Sequence, residues 1–403
     1  MADSTVREKP KGIFNKHFIL LMILSLINGF GYSMITTQVA SYSTDILGST
    51  LSFAGVITGA YSLAALLMRP FAGFAADKLS KRNICVYTTF GIFGMYLLYA
   101  IVPNPGLMLA LRIVHGMLFG INGTANLAMA SEYIPKERMS EGLGYFGLGQ
   151  ILSQAFGPAV GKSLKDLVGY KWMFISIGIG TLIGVVLVAI FFKAEKVQKS
   201  NEKTKISLKD FIAVECIVYS LTGGMFSLTN GVVNTYLEKF ALNERGIESY
   251  ALFFTVVAAV MFVIRTFIGR FFDRISLMLV VVASLIVTAG GMVMIGRSFS
   301  LAPLLIAAAM KAFGQGSGQI SLQSACIKQV SPAKVGIATS TYYIGADVGN
   351  TVGPILGGTV ADNTSFETMF YVTAAVMIAS MFVFIVYEAY QIKKRKLASL
   401  NTH

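Results

Sequence analysis

Long apolar runs separated by short polar segments dominate this chain of 403 residues. A helix that crosses a bilayer needs roughly 20 mostly apolar residues. Because every backbone polar group must be paired inside lipid, each such run is predicted to be a helix. The pattern therefore predicts an all-α membrane protein with twelve transmembrane helices, at about 18–40, 51–76, 83–102, 106–131, 141–161, 172–192, 211–236, 249–271, 276–296, 301–327, 336–361 and 368–391.

Composition supports the membrane assignment. Hydrophobic residues make up 55% of the chain and charged residues 13%, whereas soluble domains carry about a quarter charged residues. The first sixteen residues are polar and basic, so we expect the first apolar run to be retained as a span. The three cysteines lack zinc-like spacing, and the sequence contains no HExxH, GxSxG or P-loop motif. We therefore expect that the chain is not an enzyme, binds no metal or cofactor and makes no direct use of ATP.

Lysine and arginine fix the predicted orientation. With the N-terminus inside, the cytoplasmic segments hold 23 of these residues and the outer loops hold 6. This bias places both termini in the cytoplasm and predicts an inner-membrane protein. The net charge of +13 is then a topology signal, helped by contact with anionic membrane lipids, and does not indicate a nucleic-acid partner.

An internal repeat divides the chain into two halves. Arg, Phe, Gly, Asp and Ser share their offsets between Arg69–Ser80 and Arg265–Ser276, which lie 196 residues apart. The hydrophilic segment 193–210 separates six spans from six. We therefore predict a six-helix half at 1–192, a cytoplasmic linker, and a second half at 211–403, in parallel repeat.

A second repeated motif predicts two bending points. Gly157 and Pro158 in the fifth span recur, 196 residues later, as Gly353 and Pro354 in the eleventh. Proline removes a backbone donor and kinks a helix. The adjacent glycines allow close approach to a neighbour, so both motifs are predicted to act as helix pivots.

Three motifs lie on the second, fourth and fifth predicted spans or directly after them. They are Gly73-x-x-x-Asp77-(x)3-Lys81-Arg82, Arg112-x-x-His115-Gly116, and Gly157-Pro158 with Ser153 four residues before. With them the chain resembles the major facilitator superfamily over essentially its whole length, and in particular the twelve-span drug:proton antiporter branch. Ser153 stands where that branch usually carries glycine. The resemblance implies two pseudo-symmetric six-helix halves around a central site.

The resemblance also implies a conformational latch at the inner face. A carboxylate at Asp77 would face the N-terminus of the eleventh span, which is a favourable charge–dipole contact. Asp273 would do the same towards the fifth span. The alternative is a solvated turn with snorkelling cations. The predicted latch residues are Gly73, Asp77, Lys81, Arg82, Glu132, Gly269 and Asp273.

Charges deep inside spans are costly and predict function. Asp347 is the acidic residue nearest the middle of a span, and we predict that it carries the coupled proton, with Arg112, His115 and Glu215 as further coupling residues. The alternatives are an ion pair that fixes packing, a structural histidine and an interfacial carboxylate. Lys311 is predicted either to pair with Asp347 or to hold an anionic substrate.

Polar and aromatic residues concentrate in the first, fourth, seventh, tenth and eleventh spans. In the resembled fold, four of these spans line the central cavity. For any one residue, helix–helix hydrogen bonding is the alternative. The predicted substrate-binding residues are Asn28, Tyr32, Phe119, Asn122, Phe226, Asn230, Asn234, Lys311, Gln315, Tyr342 and Tyr343, with Gln38, Asn126 and Gln319 as further polar members of the set.

These features predict a monomeric secondary transporter that moves a small-molecule substrate by alternating access. Proton-coupled efflux by antiport is the favoured mode. Uptake, by proton symport or facilitated diffusion, is the first alternative. A transporter-like receptor or scaffold without flux is an alternative of a different class.

Overall fold

The computed structural model describes residues 12–135, 139–192, 213–264, 275–330 and 335–400. Within these ranges the chain is helical and contains no strand. The α-helices are α1 Lys16–Asp45, α2 Leu51–Lys78, α3 Lys81–Tyr99, α4 Pro105–Ser131, α5 Met139–Phe191, α6 Ile217–Glu238, α7 Leu252–Val263, α8 Leu277–Gly296, α9 Leu301–Lys328, α10 Val335–Asn363 and α11 Phe366–Leu400. The prediction of an all-α membrane protein is confirmed.

Equivalent serines of the repeat start two of these helices. Ser80 accepts a hydrogen bond from the backbone N–H of Asn83 and is the N-cap of α3. Ser276 accepts one from Leu279 and is the N-cap of α8. A serine side chain at this position pairs a backbone donor that the helix leaves unsatisfied. The repeated serine therefore caps the start of a helix in both halves of the sequence.

Helix α5 spans 53 residues and covers the fifth and sixth predicted spans. It is interrupted at Gly169, whose φ of 75° and ψ of 169° are not helical. Positive φ is sterically open to glycine and closed to most other residues. The two predicted runs are therefore two helical segments joined at one glycine, without a longer loop.

Seven helical segments among the described residues are long and apolar enough to cross a membrane. Helices α9 and α10 have 28 and 29 residues, so their length also suffices. They are not among the seven because polar residues and glycine lower their hydropathy. Both helices carry candidate site residues, and the total of twelve spans stays a prediction.

The chain divides into two compact units. The first comprises Met1–Ile35, Ala64–Pro103 and Ala110–Glu202, and the second comprises Thr36–Leu63, Asn104–Leu109 and Lys203–His403. The end of α1 and the first half of α2 therefore pack with the second unit. The predicted boundaries at 192 and 211 follow the repeat in the sequence and stay a prediction.

A glycine row joins α10 to α6 within the second unit. Gly345, Gly349 and Gly353 recur every four residues and so lie on one face of α10. A Cβ on any of them would overlap a carbonyl oxygen of α6. Small residues at such positions let two helix backbones touch. Pro354 lies beside this seam, with its ring against Gly231 of α6.

A corresponding seam joins α1 to α5 within the first unit. Gly157 packs against Ser33, and Gly29 packs against the Ser153 side chain. The Ser153 hydroxyl lies 2.8 Å from the carbonyl oxygen of Gly149 and 3.2 Å from that of Leu26. The serine is accommodated because the residue opposite it is glycine. Both predicted pivot motifs thus lie in tight helix–helix seams.

Candidate functional site

The second unit buries a lysine inside a polar cluster. Lys311, eleven residues into α9, is 1% exposed. Its Nζ donates to Gln315 Oε1 at 2.8 Å and to Asn230 Oδ1 of α6 at 3.1 Å. Both acceptors are uncharged amide oxygens. No ion pair of Lys311 occurs among the described residues, so the pairing with Asp347, one of the two predicted roles, is not observed.

The cluster extends along α9 as a row of side chains spaced by four residues. Gln315 Nε2 donates to Gln319 Oε1 at 3.4 Å, and Gln319 Nε2 donates to Ser227 Oγ at 3.2 Å. Residues at this spacing lie one above another on a helix. We call this set, Lys311, Gln315, Gln319 and Ser227, the amide row.

Helix α10 supplies two tyrosines to the same region. The Tyr342 hydroxyl donates to the carbonyl oxygen of Gln319 at 3.0 Å, and its side chain is buried. Tyr343 is 44% exposed and accepts a hydrogen bond from Gln323 Nε2 at 3.4 Å. Tyr342 is therefore a packing residue, whereas Tyr343 presents its ring at the surface of the unit.

The remaining predicted residues of α6 differ in their surroundings. Phe226 is fully buried and packs against Gly318 of α9. Asn234 is half-buried, one turn beyond Asn230. Phe226 thus belongs to the core of the second unit, while Asn230 and Asn234 lie on one face of α6.

The predicted carboxylates lie in different settings. Asp347 is half-buried on α10, and its backbone carbonyl accepts a hydrogen bond from Thr351 at 2.9 Å. By helical spacing it shares a face with Tyr343 and Thr351. Glu215 is exposed in the short 3₁₀ turn that precedes α6. Asp347 is therefore the one of the two held within the long helices.

The first unit contains a second buried cationic group. Arg112 and His115 of α4 are 1% and 0% exposed. Tyr99, at the end of α3, places its hydroxyl 2.9 Å from His115 Nδ1. Tyr96 meets the same ring edge-on at 5.0 Å, and Arg112 precedes His115 by three residues, so the two share a face of α4. The arrangement joins α3 to α4 through Tyr96, Tyr99 and His115.

A hydrogen-bonded cluster links three helices of the first unit. Asn28 Nδ2 donates to Asn122 Oδ1 at 3.0 Å. Asn122 Nδ2 lies 2.8 Å from the hydroxyls of both Thr88 and Thr89. These predicted substrate-binding residues thus carry interhelical hydrogen bonds in this structure.

Tyr32 and Phe119 form an aromatic pair in the same unit. Their rings stack with centroids 5.4 Å apart, and both side chains are half-buried. Stacking of this kind holds two rings in a fixed relation to each other.

Three predicted latch residues make contacts inside the first unit. Lys81 Nζ pairs with Glu132 at 2.7 Å. Arg82 donates to the carbonyl oxygens of Ala189 and Phe192 at 2.7 and 3.0 Å, at the end of α5. Gly73 and Asp77 belong to α2, but the structure does not describe their side chains, and Gly269 and Asp273 lie outside the described residues.

Sequence reasoning missed a group of contacts at the Asp45 end of α1. Asp362, at the end of α10, accepts hydrogen bonds from the backbone N–H groups of Leu51 and Ser52. The Tyr236 hydroxyl lies 2.7 Å from the Pro354 carbonyl oxygen and 3.2 Å from that of Leu51. We call the contacts of Asp362 and Tyr236 with Leu51 and Ser52 the Asp362 clasp.

Ionised side chains flank the clasp. Lys239 Nζ lies 2.6 Å from Asp45 Oδ1, and Ser41 donates to the buried Glu238 at 3.3 Å. The repeat offered one signal for the clasp, because Asp166 and Asp362 are 196 residues apart. Ser227 and Gln323 were also missed, although the period of four from Lys311 to Gln323 is visible in the sequence. No group of three or more metal-ligating side chains occurs among the described residues.

Comparison with known proteins places these features in a family. The family model described as Major Facilitator Superfamily matches residues 21–324 and 279–400. The multidrug resistance protein MdtG of Dickeya zeae is 26% identical over 342 residues, which cover 82% of this chain and 83% of that protein. An uncharacterised MFS-type transporter of Methanocaldococcus jannaschii, MJ1560, is 21% identical over 374 residues, 90% of this chain and 96% of that one.

Solved structures share the fold. The nucleoside transporter NupG superposes with a TM-score of 0.74 at 16% identity, over 92% of this chain and 99% of that one. A POT family transporter in complex with a thioalcohol-conjugated peptide gives a TM-score of 0.78 at 13% identity, over 94% and 98% of the two chains.

Proposed function

Because the chain belongs to the Major Facilitator Superfamily, we propose that it is a proton-coupled secondary transporter that exports small molecules by antiport. Membership supports transport by alternating access. The name of the Dickeya relative, a multidrug resistance protein, supports export as the direction. The proposal places the chain in the inner membrane as a monomer, with both termini in the cytoplasm.

The observation that carries the proposal is the pair of buried basic side chains, one in each unit. Arg112 and Lys311 are each 1% exposed and lie within long helices. Ionisable groups at membrane depth are costly and are retained where they bind substrate or relay charge. We assign substrate contact to the amide row with Asn230, Asn234 and Tyr343.

Proton coupling is assigned to Asp347. A carboxylate can exchange its negative charge for a neutral acid, which changes the cost of holding it inside a membrane protein. Arg112 and His115 assist, and Glu215 supplies a carboxylate at the entrance to α6. Antiport then requires that proton binding and substrate binding alternate, so that the substrate binds as the proton is released.

The latch and pivot residues take conformational roles in this mechanism. Lys81 and Arg82 follow Asp77 closely in the sequence. The Lys81–Glu132 pair and the hydrogen bonds of Arg82 stabilise this part of the first unit. Asp77, and Asp273 in the second repeat, hold the inner side closed. The glycine–proline seams of α5 and α10 are the positions about which the helices bend.

Everted membrane vesicles test this function. They expose the cytoplasmic face outwards, so an acid interior drives an exporter to fill them with substrate. We expect vesicles with the wild-type chain to accumulate at least one member of a dye panel that spans anionic, neutral and cationic charge. Collapse of the gradient with nigericin should release it.

Three results would contradict the proposal. Exchange that is symmetric and independent of pH would indicate facilitated diffusion. Accumulation in right-side-out vesicles with an acid exterior would indicate symport into the cell. Binding of dye without any flux would place the chain with receptors or scaffolds.

A further inference from the structure

Lys311 is a buried cation whose described partners are all neutral. An ammonium group has three N–H donors and no acceptor. Two donors go to Gln315 Oε1 and Asn230 Oδ1. Transfer of a charge out of water costs several kcal/mol unless an opposite charge compensates it. Two amide dipoles offset part of that cost. Among the described residues no counter-ion contacts the ammonium group, and one of its three donors has no described acceptor.

The amide row has one direction, and Lys311 determines it. Since the ammonium only donates, Gln315 must turn its oxygen towards Lys311 and its nitrogen towards Gln319. Gln319 in turn directs its nitrogen to Ser227. Each amide nitrogen carries a second N–H. The row therefore combines a positive charge with further donors, which is the complement of a negatively charged group.

No acidic side chain forms an ion pair with Lys311 in the part of the chain that the structure describes. The described ion pairs of the second unit are Lys239 with Asp45 and Arg245 with Glu367. Both lie at helix ends, and neither contains Lys311. An anion entering the row would not have to displace a carboxylate of the protein.

We propose that the amide row binds the anionic group of an organic anion, so that the transported substrates are carboxylates, sulfonates or phosphate esters with an apolar body. This inference rests on the proposed transport function for the position of the substrate path. Lys311 supplies the counter-charge, Gln315 and Gln319 supply additional donors, and Tyr343 offers a half-exposed ring to the apolar part.

Binding to the purified full-length chain in detergent, without any gradient, tests the inference. The probes are 1-naphthoate, 1-naphthalenemethanol and 1-naphthylmethylammonium, which share one ring system and differ in charge. We expect naphthoate to raise the melting temperature and to bind at least about tenfold more tightly than the other two, the discrimination expected of one charged hydrogen-bonding contact. Naphthalenesulfonate and naphthyl phosphate should compete with naphthoate.

Three variants identify Lys311 as the binding group. Lys311→Met should lose naphthoate binding by at least about tenfold, and Lys311→Arg should retain it within about threefold. Asn230→Asp places a carboxylate where the amide oxygen lies 3.1 Å from Nζ. That internal counter-ion should abolish naphthoate binding and leave the chain folded, so it carries the test even where Lys311→Met does not fold.

Several outcomes would overturn the inference. They are equal or tighter binding of the cationic probe, failure of every anionic probe to bind the wild type, and unchanged naphthoate affinity in Asn230→Asp. Displacement of naphthoate by added phosphatidylglycerol would assign the row to a lipid headgroup instead. Naphthoate binding through Lys311 without gradient-driven accumulation would contradict the antiport proposal alone. Gradient-driven accumulation of a cation that survives Lys311→Met would contradict only the anion assignment.

Discussion

The carboxylate of Asp362 accepts a hydrogen bond from the backbone N–H of Leu51 at 3.0 Å. Leu51 begins α2, and the next N–H, that of Ser52, points to the same carboxylate. A negative charge at a helix N-terminus is stabilised both by the unpaired donors and by the helix dipole. The end of α10 is thereby bound to the start of α2, which makes this contact a candidate for holding one conformer.

Removal of this charge should loosen the clasp. In Asp362→Asn the charge–dipole contribution of about 1 kcal/mol is lost, which corresponds to roughly a fivefold change in an equilibrium. Thr58 is a buried residue of α2 and offers a reporter as Thr58→Cys. We expect a membrane-impermeant maleimide to label this cysteine about fivefold faster in the Asp362→Asn background.

The chain provides its own controls for this measurement. Cys85, Cys216 and Cys326 are fully buried, so background labelling should be low. Asp166 is the repeat counterpart of Asp362 but pairs with Lys162, and Asp166→Asn should leave the rate unchanged. Equal labelling rates with and without Asp362→Asn would mean that the clasp does not hold α2 closed.

The ion pair between Asp45 and Lys239 should behave as a coupled unit. Their side chains are 45% and 10% exposed, so screening is incomplete. Asp45→Lys and Lys239→Asp each create a like-charge contact and should lower the melting temperature, while the double exchange should recover part of the loss. We expect a coupling energy of about 1 kcal/mol from the double-mutant cycle.

The same exchange applied to Lys162 and Asp166 provides the comparison. This pair lies one helical turn apart within α5 and is more exposed, so its coupling should be about 0.3–0.5 kcal/mol. A cycle that gives no coupling for Asp45 and Lys239 would mean that solvent screens this ion pair completely.

The glycine seam between α6 and α10 should tolerate no side chain. A Cβ on Gly349 would overlap the carbonyl oxygen of Gly224, so Gly349→Ala must separate two packed backbones. Overpacking of this kind costs about 1–3 kcal/mol, and the melting temperature should fall. Gly94 of α3 has no neighbour within 4 Å of a built Cβ, so Gly94→Ala should be neutral or slightly stabilising. Equal stability of the two variants would mean that the seam opens without cost.

Asp347→Asn tests the proposed proton path. The amide has the same shape as the carboxylic acid but cannot release a proton, so gradient-driven accumulation in everted vesicles should be lost. Binding of naphthoate to the purified variant should persist, because Lys311 makes no ion pair among the described residues. Retention of full coupled transport would remove Asp347 from the path.

Sequence patterns predicted the helices well because lipid restricts the alternatives. Apolar length identified the helical segments, and the repeat located Ser80 and Ser276 at equivalent helix starts. The break at Gly169 was expected only as a short gap between two runs. A single glycine with positive φ leaves no compositional signal beyond one residue, so the merged helix could not be foreseen.

Side-chain partners were predicted less well, since they depend on helix rotation. Lys311 and Asp347 are both polar positions in neighbouring spans, and pairing was a reasonable expectation. In the structure Lys311 turns to Asn230 of α6 instead. For Asn28 and Asn122 the sequence left substrate contact and helix–helix hydrogen bonding open, and in the structure their amides bond to each other. Residue type identifies polar positions, whereas rotation about each axis decides which of them meet.

All hydrogen bonds of the amide row run from donor to acceptor in one direction, from Lys311 to Ser227, and this links the protonation of Lys311 to the hydrogen bonding of Ser227. Gln319, which donates to Ser227 of α6, lies eight residues beyond Lys311, about 12 Å along the axis of α9. If Lys311 gives up its proton, the neutral amine can also accept a hydrogen bond, so Gln315 is free to rotate its amide, and Gln319 can follow. The protonation state of Lys311 would then decide whether Gln319 offers Ser227 a donor or an acceptor, and this change needs only side-chain rotation.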